Sequence, residues 1–188
     1  MIESMKYPLH ICYLTSRLMY ILNYYAVLND KYCKENNKII FKGTQLYYSS
    51  LLPYQKSIGK IIMLSTFILA FVDEKIAEAR AGRGNEKQIY KNSYKFTVIF
   101  HITNLYKKEW IPNCIKVNKN SLFKVENVGE YILQPFSFYR VKKVEIDCKS
   151  YKANIFLETV GKKEILEEGI RLGKEIKYNA KENIMEIS

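Results

Sequence analysis

The sequence predicts an α+β domain, a long helix followed by many short strands joined mostly by short polar spacers. Three observations carry this. The apolar residues between Pro8 and Leu28 recur every three and four positions. From Phe96 onward the apolar residues gather in short β-rich runs instead. The chain has 188 residues, 48% apolar and 26% charged, the size and composition of one domain with its own core. Close spacing of the strands favours hairpins, hence mainly antiparallel or mixed pairing.

The elements follow in order. Ile11, Leu14, Leu18, Ile21, Leu22, Tyr25 and Leu28 line one broad face of a helix from Pro8 to Leu28. Polar residues after Asn29 end it. Ile39, Ile40 and Phe41 read as a short strand closed by Gly43. Residues 44–57 are mixed, helical or irregular, with Pro53 opening or breaking a turn. Ile61 to Leu64 is a second short strand. Asp73 is a candidate N-cap for a helix to Ala79. Residues 80–95 are polar and contain Gly82 and Gly84, as an exposed loop does. Strands are expected at Phe96–Ile102, Ile115–Val117, Tyr131–Leu133, Phe138–Val141, Val144–Ile146 and Ala153–Val160. Helical spacing returns from Ile165 to Gly173, acidic residues early and basic ones late, which suits the helix dipole. A domain over residues 1–160 with a C-terminal helix and polar tail over 161–188 is the expected division.

The net charge is +11, from 30 basic and 19 acidic residues. A surface that reads bases favours Arg. Here 25 of the 30 are Lys, so the charge is not by itself a nucleic-acid signature. Residues 81–150 hold 13 basic against 6 acidic groups, an excess that suits a phosphate-bearing ligand. No uncharged apolar run reaches the ~18 residues of a spanning helix. Met1 to Ser4 carries an acid where a signal peptide wants positive charge, so an intracellular chain is expected. Cys12, Cys33, Cys114 and Cys148 are too far apart for zinc spacing and read as free thiols, the even count also permitting two disulfides in an exported chain. No metal is expected.

Three segments carry a more specific pattern. The first is Ile40-Phe41-Lys42-Gly43-Thr44. The second is Gly59-Lys60 leading to Leu64-Ser65-Thr66-Phe67, then Asp73 to Ala77. The third is Glu130-Tyr131-Ile132-Leu133-Gln134-Pro135, then Phe138 and Val141. In order and spacing this resembles the mono-ADP-ribosyltransferase family of the arginine–serine–glutamate type, over roughly Leu9 to Val160. The resemblance implies that family's split core of two small, mainly antiparallel or mixed sheets with a helix at the N-terminus. It implies NAD as substrate, glycosyl-transfer chemistry and an acceptor protein as partner.

By the same resemblance Glu130 and Ser65 are catalytic residues. Lys42, Gly43, Thr66 and Phe67 hold the dinucleotide, and Phe123, Glu126 and Val128 belong to an acceptor loop. The residue types suit the chemistry. Cleaving the nicotinamide–ribose bond passes through an oxocarbenium-like state, which a carboxylate stabilises. A cation serves the pyrophosphate, and a glycine lets backbone approach the nicotinamide. Ser65 would orient the carboxylate, and Phe67 would stack on the departing ring. The chain also departs from the pattern. Lys42 stands for the family's Arg and offers a point charge in place of a planar fork. Phe67 replaces the second Ser of Ser-Thr-Ser. Val128 replaces a second Glu, with Glu126 two residues further back, ~7 Å along an extended strand. Three readings stay open: an ADP-ribosyltransferase or NAD glycohydrolase, a degraded transferase fold that binds NAD or protein, and a basic nucleic-acid-binding domain.

Overall fold

The computed structural model describes residues 17–21, 38–82, 94–103, 114–116, 129–161 and 163–170. In chain order the elements are β1 (Ile40–Tyr47), α1 (Tyr48–Lys56), β2 (Ile61–Leu64), β3 (Ile68–Phe71), α2 (Glu74–Ala81) and β4 (Lys95–Thr103). There follow β5 (Cys114–Lys116), β6 (Glu130–Leu133), β7 (Ser137–Asp147) and β8 (Lys152–Thr159). Residues 17–21 and 163–170 are also helical. The rest of the expected N-terminal helix and most of the 80–95 loop lie outside the described residues. Among those described, no helix is long and apolar enough to cross a membrane.

The eight strands form one mixed sheet in the order β2-β7-β8-β4-β1-β3-β6-β5. Only β4 and β8 run parallel. Where two small sheets are expected from the resemblance, hydrogen bonding is continuous from edge to edge. The five strands β2-β7-β8-β4-β1 and the three strands β3-β6-β5 are joined by a single register pair, Phe41 with Phe71. By contrast β1 and β4 pair from Ile40–Ile102 to Tyr47–Lys95. The junction is narrow because β3 ends at Phe71, where the chain turns through Asp73 into α2.

Strand alternation divides the sheet into two faces. One carries the core: Ile40, Val98, Phe100, Ile102, Ile155, Leu157, Tyr139, Val141, Ile68, Ala70, Tyr131 and Leu133 pack in one cluster with Leu51 of α1. The other face carries Phe41, Gly43, Ile99, His101, Phe156, Phe71 and Glu130, and α2 lies against part of it. Asp73 caps α2 as expected, its carboxylate accepting from the Lys75 amide at 2.8 Å.

Four elements differ from the sequence reading, and the first is β3, a strand where none is expected. β1 does not close at Gly43 but runs four residues beyond it, because the glycine serves packing rather than a turn. A Cβ at Gly43 would stand 1.7 Å from the Ala77 carbonyl oxygen. Pro53 lies inside α1, not at a break. The helix loses one backbone donor there, and Leu51, fully buried, anchors it to the core. The expected strands 138–141 and 144–146 are one 11-residue strand, β7. Its pairing with β8 shifts register between Val141 and Lys143, a bulge that accommodates exposed Lys142 without ending the ladder.

Candidate functional site

Glu130 opens β6. Its backbone is aimed by Gly129, which sits at φ 59° and whose carbonyl accepts from the Val72 amide at 3.3 Å. Glu130 pairs with Phe71 across the β3–β6 ladder, and Phe71 pairs with Phe41 across the junction. The row continues through His101 on β4, Phe156 on β8 and Lys143 on β7. Six strands thus place Glu130, Phe71, Phe41, His101, Phe156 and Lys143 side by side on one face. Glu130 as a residue is only 6% exposed.

The row is packed ring to ring. Phe41 meets His101 edge-on at 5.2 Å, and His101 stacks on Phe156 at 4.4 Å. The Lys143 ammonium lies 5.7 Å from the Phe156 ring centre, and the Arg80 guanidinium 5.8 Å from that of Phe71. His101 is further held by Asn154, its Nε2 lying 3.3 Å from Oδ1. Glu74 at the start of α2 stands 3.9 Å from the same nitrogen. The Lys143 ammonium bonds Glu145 and holds that exposed carboxyl below its ordinary range.

Lys42 sits beside Phe41, one strand from β3 and two from β6. At about 4.8 Å per strand its Cα lies roughly 10 Å from that of Glu130. Alternation sets it on the core face, opposite Phe100, whereas Glu130 is on the other face. Lys42 is half-buried, and burial pushes its ammonium below the ordinary lysine range. Lys38 shares this core face: its ammonium lies 5.4 Å from the centre of the Tyr131 ring. The close approach that Gly43 permits is to α2, whose backbone fills the space a side chain would take.

Ser65 and Thr66 are exposed on the link between β2 and β3, with Phe67 half-buried after them. Ser65 precedes by six residues the Phe71 that faces Glu130, roughly 20 Å of extended chain. The structure therefore brings Lys42, Gly43 and Glu130 to one region of the sheet and leaves Ser65, Thr66 and Phe67 at the far end of β3. Phe123, Glu126 and Val128 lie outside the described residues. Phe71 and His101 are the neighbours that motif reading misses, because only register across four strands reveals them. Among the described residues, no three His, Cys, Asp or Glu side chains gather as a metal site would require.

No family model and no curated protein sequence matches the chain. Solved structures similar to it include ADP-ribosyltransferases. Vis toxin of Vibrio splendidus is 14% identical, covering 68% of this chain and 50% of its own, with a TM-score of 0.48. HopU1 of Pseudomonas syringae pv. tomato DC3000 is 10% identical over 65% of this chain and 45% of its own, at 0.45. The C3 exoenzyme of Clostridium limosum is 11% identical over 70% and 63%, also at 0.45. This chain spans about half the length of the first two.

Proposed function

We propose that this chain transfers ADP-ribose from NAD to a side chain of an acceptor protein, or to water, where β1, β3 and β6 meet. The observation that carries the reading is the register row Phe41–Phe71–Glu130. It sets the glutamate of the third motif two strands from the Lys42-Gly43 of the first, although the two are far apart in sequence. In this reading NAD is substrate, not a resident cofactor. The bond between ribose C1′ and nicotinamide breaks, and nicotinamide leaves with the electron pair. Glu130 stabilises the positive charge left on the ribose, and Lys42 offsets the pyrophosphate. A nucleophile from the acceptor, or water, then bonds C1′. Glu130 does its work as charge develops, so its removal should cost rate rather than NAD binding.

Strand alternation favours a second reading, in which the chain keeps the fold and binds NAD or protein without transfer. Lys42 and Glu130 stand on opposite faces, so a dinucleotide must cross the sheet end to meet both. Titration calorimetry with NAD, run beside a nicotinamide-release assay, separates the two. Binding with release supports transfer or hydrolysis. Binding without release supports the second reading. Neither binding nor release overturns both as far as NAD is concerned.

A further inference from the structure

We propose that β2 is a docking edge for an extended peptide segment of another protein, which joins the sheet as a ninth strand. Among the described residues β2 ends the sheet on one side, with β7 as its only partner strand. The Val141 amide donates to the Lys60 carbonyl at 3.0 Å, which makes Lys60–Val141 a hydrogen-bonded pair. Antiparallel ladders alternate, so Ile62 and Leu64 bond to β7 while Ile61 and Met63 turn their N–H and C=O groups outward. Among the described residues, no backbone group bonds these outward donors and acceptors.

An unpaired edge alone is ordinary, and short edges protect against aggregation. What distinguishes this one is a cleft on each face of the same strand. On the core face, an open cleft of about 530 Å³ lies between β2 and α1. Its α1 wall is Ser50, Pro53 and Tyr54, spaced along one helix face, with Ser57 at the helix's C-cap, and its floor includes Ile62 and Leu64. On the opposite face, a cleft of about 440 Å³ lies between Ile61, Met63 and Phe138 and the helix of residues 163–170. Arg140 fixes that helix beside β2, donating to the Gly59 carbonyl at 3.0 Å and standing 3.9 Å from the Glu164 carboxylate. Side chains of an added strand alternate in direction, so successive residues would enter the two clefts in turn.

This is strand addition with side-chain pockets on alternate positions. Both clefts have apolar floors and select apolar side chains of modest size. Exposed Lys56 and Lys60 stand at the end where α1 turns into β2 and favour acidic residues there. Glu168 walls the second cleft and disfavours an acid within it. The partner is thus an extended segment of about four successive apolar residues, closed by acidic residues beyond Lys60. The proposal is independent of NAD chemistry.

The test uses the full chain and a fluorescein-labelled peptide of sequence Val-Ala-Val-Ala that ends in two Asp. Saturable binding by anisotropy is expected, with slowed hydrogen exchange at the Ile61 and Met63 amides. Met63→Pro removes only an outward donor and so should keep the ladder and the unfolding midpoint, yet weaken binding about tenfold or more. Ser50→Trp, which fills the α1 cleft, should weaken it without touching β2. Absence of saturable binding overturns the proposal, as does equal affinity for wild type and both variants. So does protection of the Ile61 and Met63 amides in the free protein, which would mean that the chain itself or a second copy already covers the edge.

Discussion

Gly43→Ala probes the contact that holds α2 to the sheet. The added Cβ would stand 1.7 Å from the Ala77 carbonyl oxygen, 2.6 Å from its carbon and 3.0 Å from the Ala81 Cβ. Ordinary contact begins near 3.4 Å, so α2 must retreat by the difference of 3.4 and 1.7, about 1.7 Å. The obstacle is helix backbone, which no rotamer change relieves. Retreat opens the packing around Ala77 and Ala81, now 0% and 7% exposed. Overpacking a core costs ~1–3 kcal/mol where side chains give way. A displaced helix adds lost burial, so a total of about 3–5 kcal/mol is expected, in the range of the severe single substitutions. For a chain of this length each kcal/mol moves Tm by roughly 2–4 °C. Thermal and urea unfolding followed by circular dichroism should therefore show a fall in Tm of roughly 6–20 °C. A variant within 1 kcal/mol of wild type would refute the argument that α2 needs a bare Cα at this position.

Two further outcomes follow from buried polar groups. Among the described residues the fully buried Tyr139 hydroxyl has no hydrogen-bond partner, and the nearby Ser137 hydroxyl donates to the Gln134 carbonyl at 2.6 Å. Tyr139→Phe should leave stability unchanged or raise it by about 1 kcal/mol in urea unfolding, and a loss above that would show a bond to this hydroxyl. Lys42 is held below its ordinary value of 10.5 by burial. The unfolded chain thus binds this proton more tightly than the folded one, and folding is penalised at pH values below the folded pKa. Lys42→Met should be more stable than wild type at pH 7, with the gap closing as pH climbs toward 10.5. A constant gap would assign the difference to packing rather than charge.

Much of the fold was legible where one rule acted alone. Asp73 caps its helix because a carboxylate followed by good helix formers has little else to do. The run from Phe96 to Ile102 is β-branched or aromatic nearly throughout and lies within β4. Gly43 shows why other parts were hidden: the same residue type that ends a strand also admits a helix, and only α2 decides. The Lys142–Lys143 pair hid the length of β7, because a bulge breaks alternation without breaking pairing. For the site, the resemblance named Lys42, Gly43 and Glu130, which fall on strands around one junction. It named Ser65 as the hydroxyl that orients Glu130; Ser65 stands on the link between β2 and β3, and the residue paired with Glu130 is Phe71. Register depends on the path of every strand between two residues, and no local pattern encodes it.

The account rests most on Glu130, and nicotinamide release measures its role directly. Wild type and Glu130→Gln are incubated with NAD labelled in the nicotinamide ring, and free nicotinamide is separated and counted, with NAD affinity measured in parallel. The account expects release by wild type and a loss on the order of 10²–10³ in the variant, with affinity nearly unchanged. Equal release by both proteins would contradict it and move the chemistry away from the β1–β3–β6 junction.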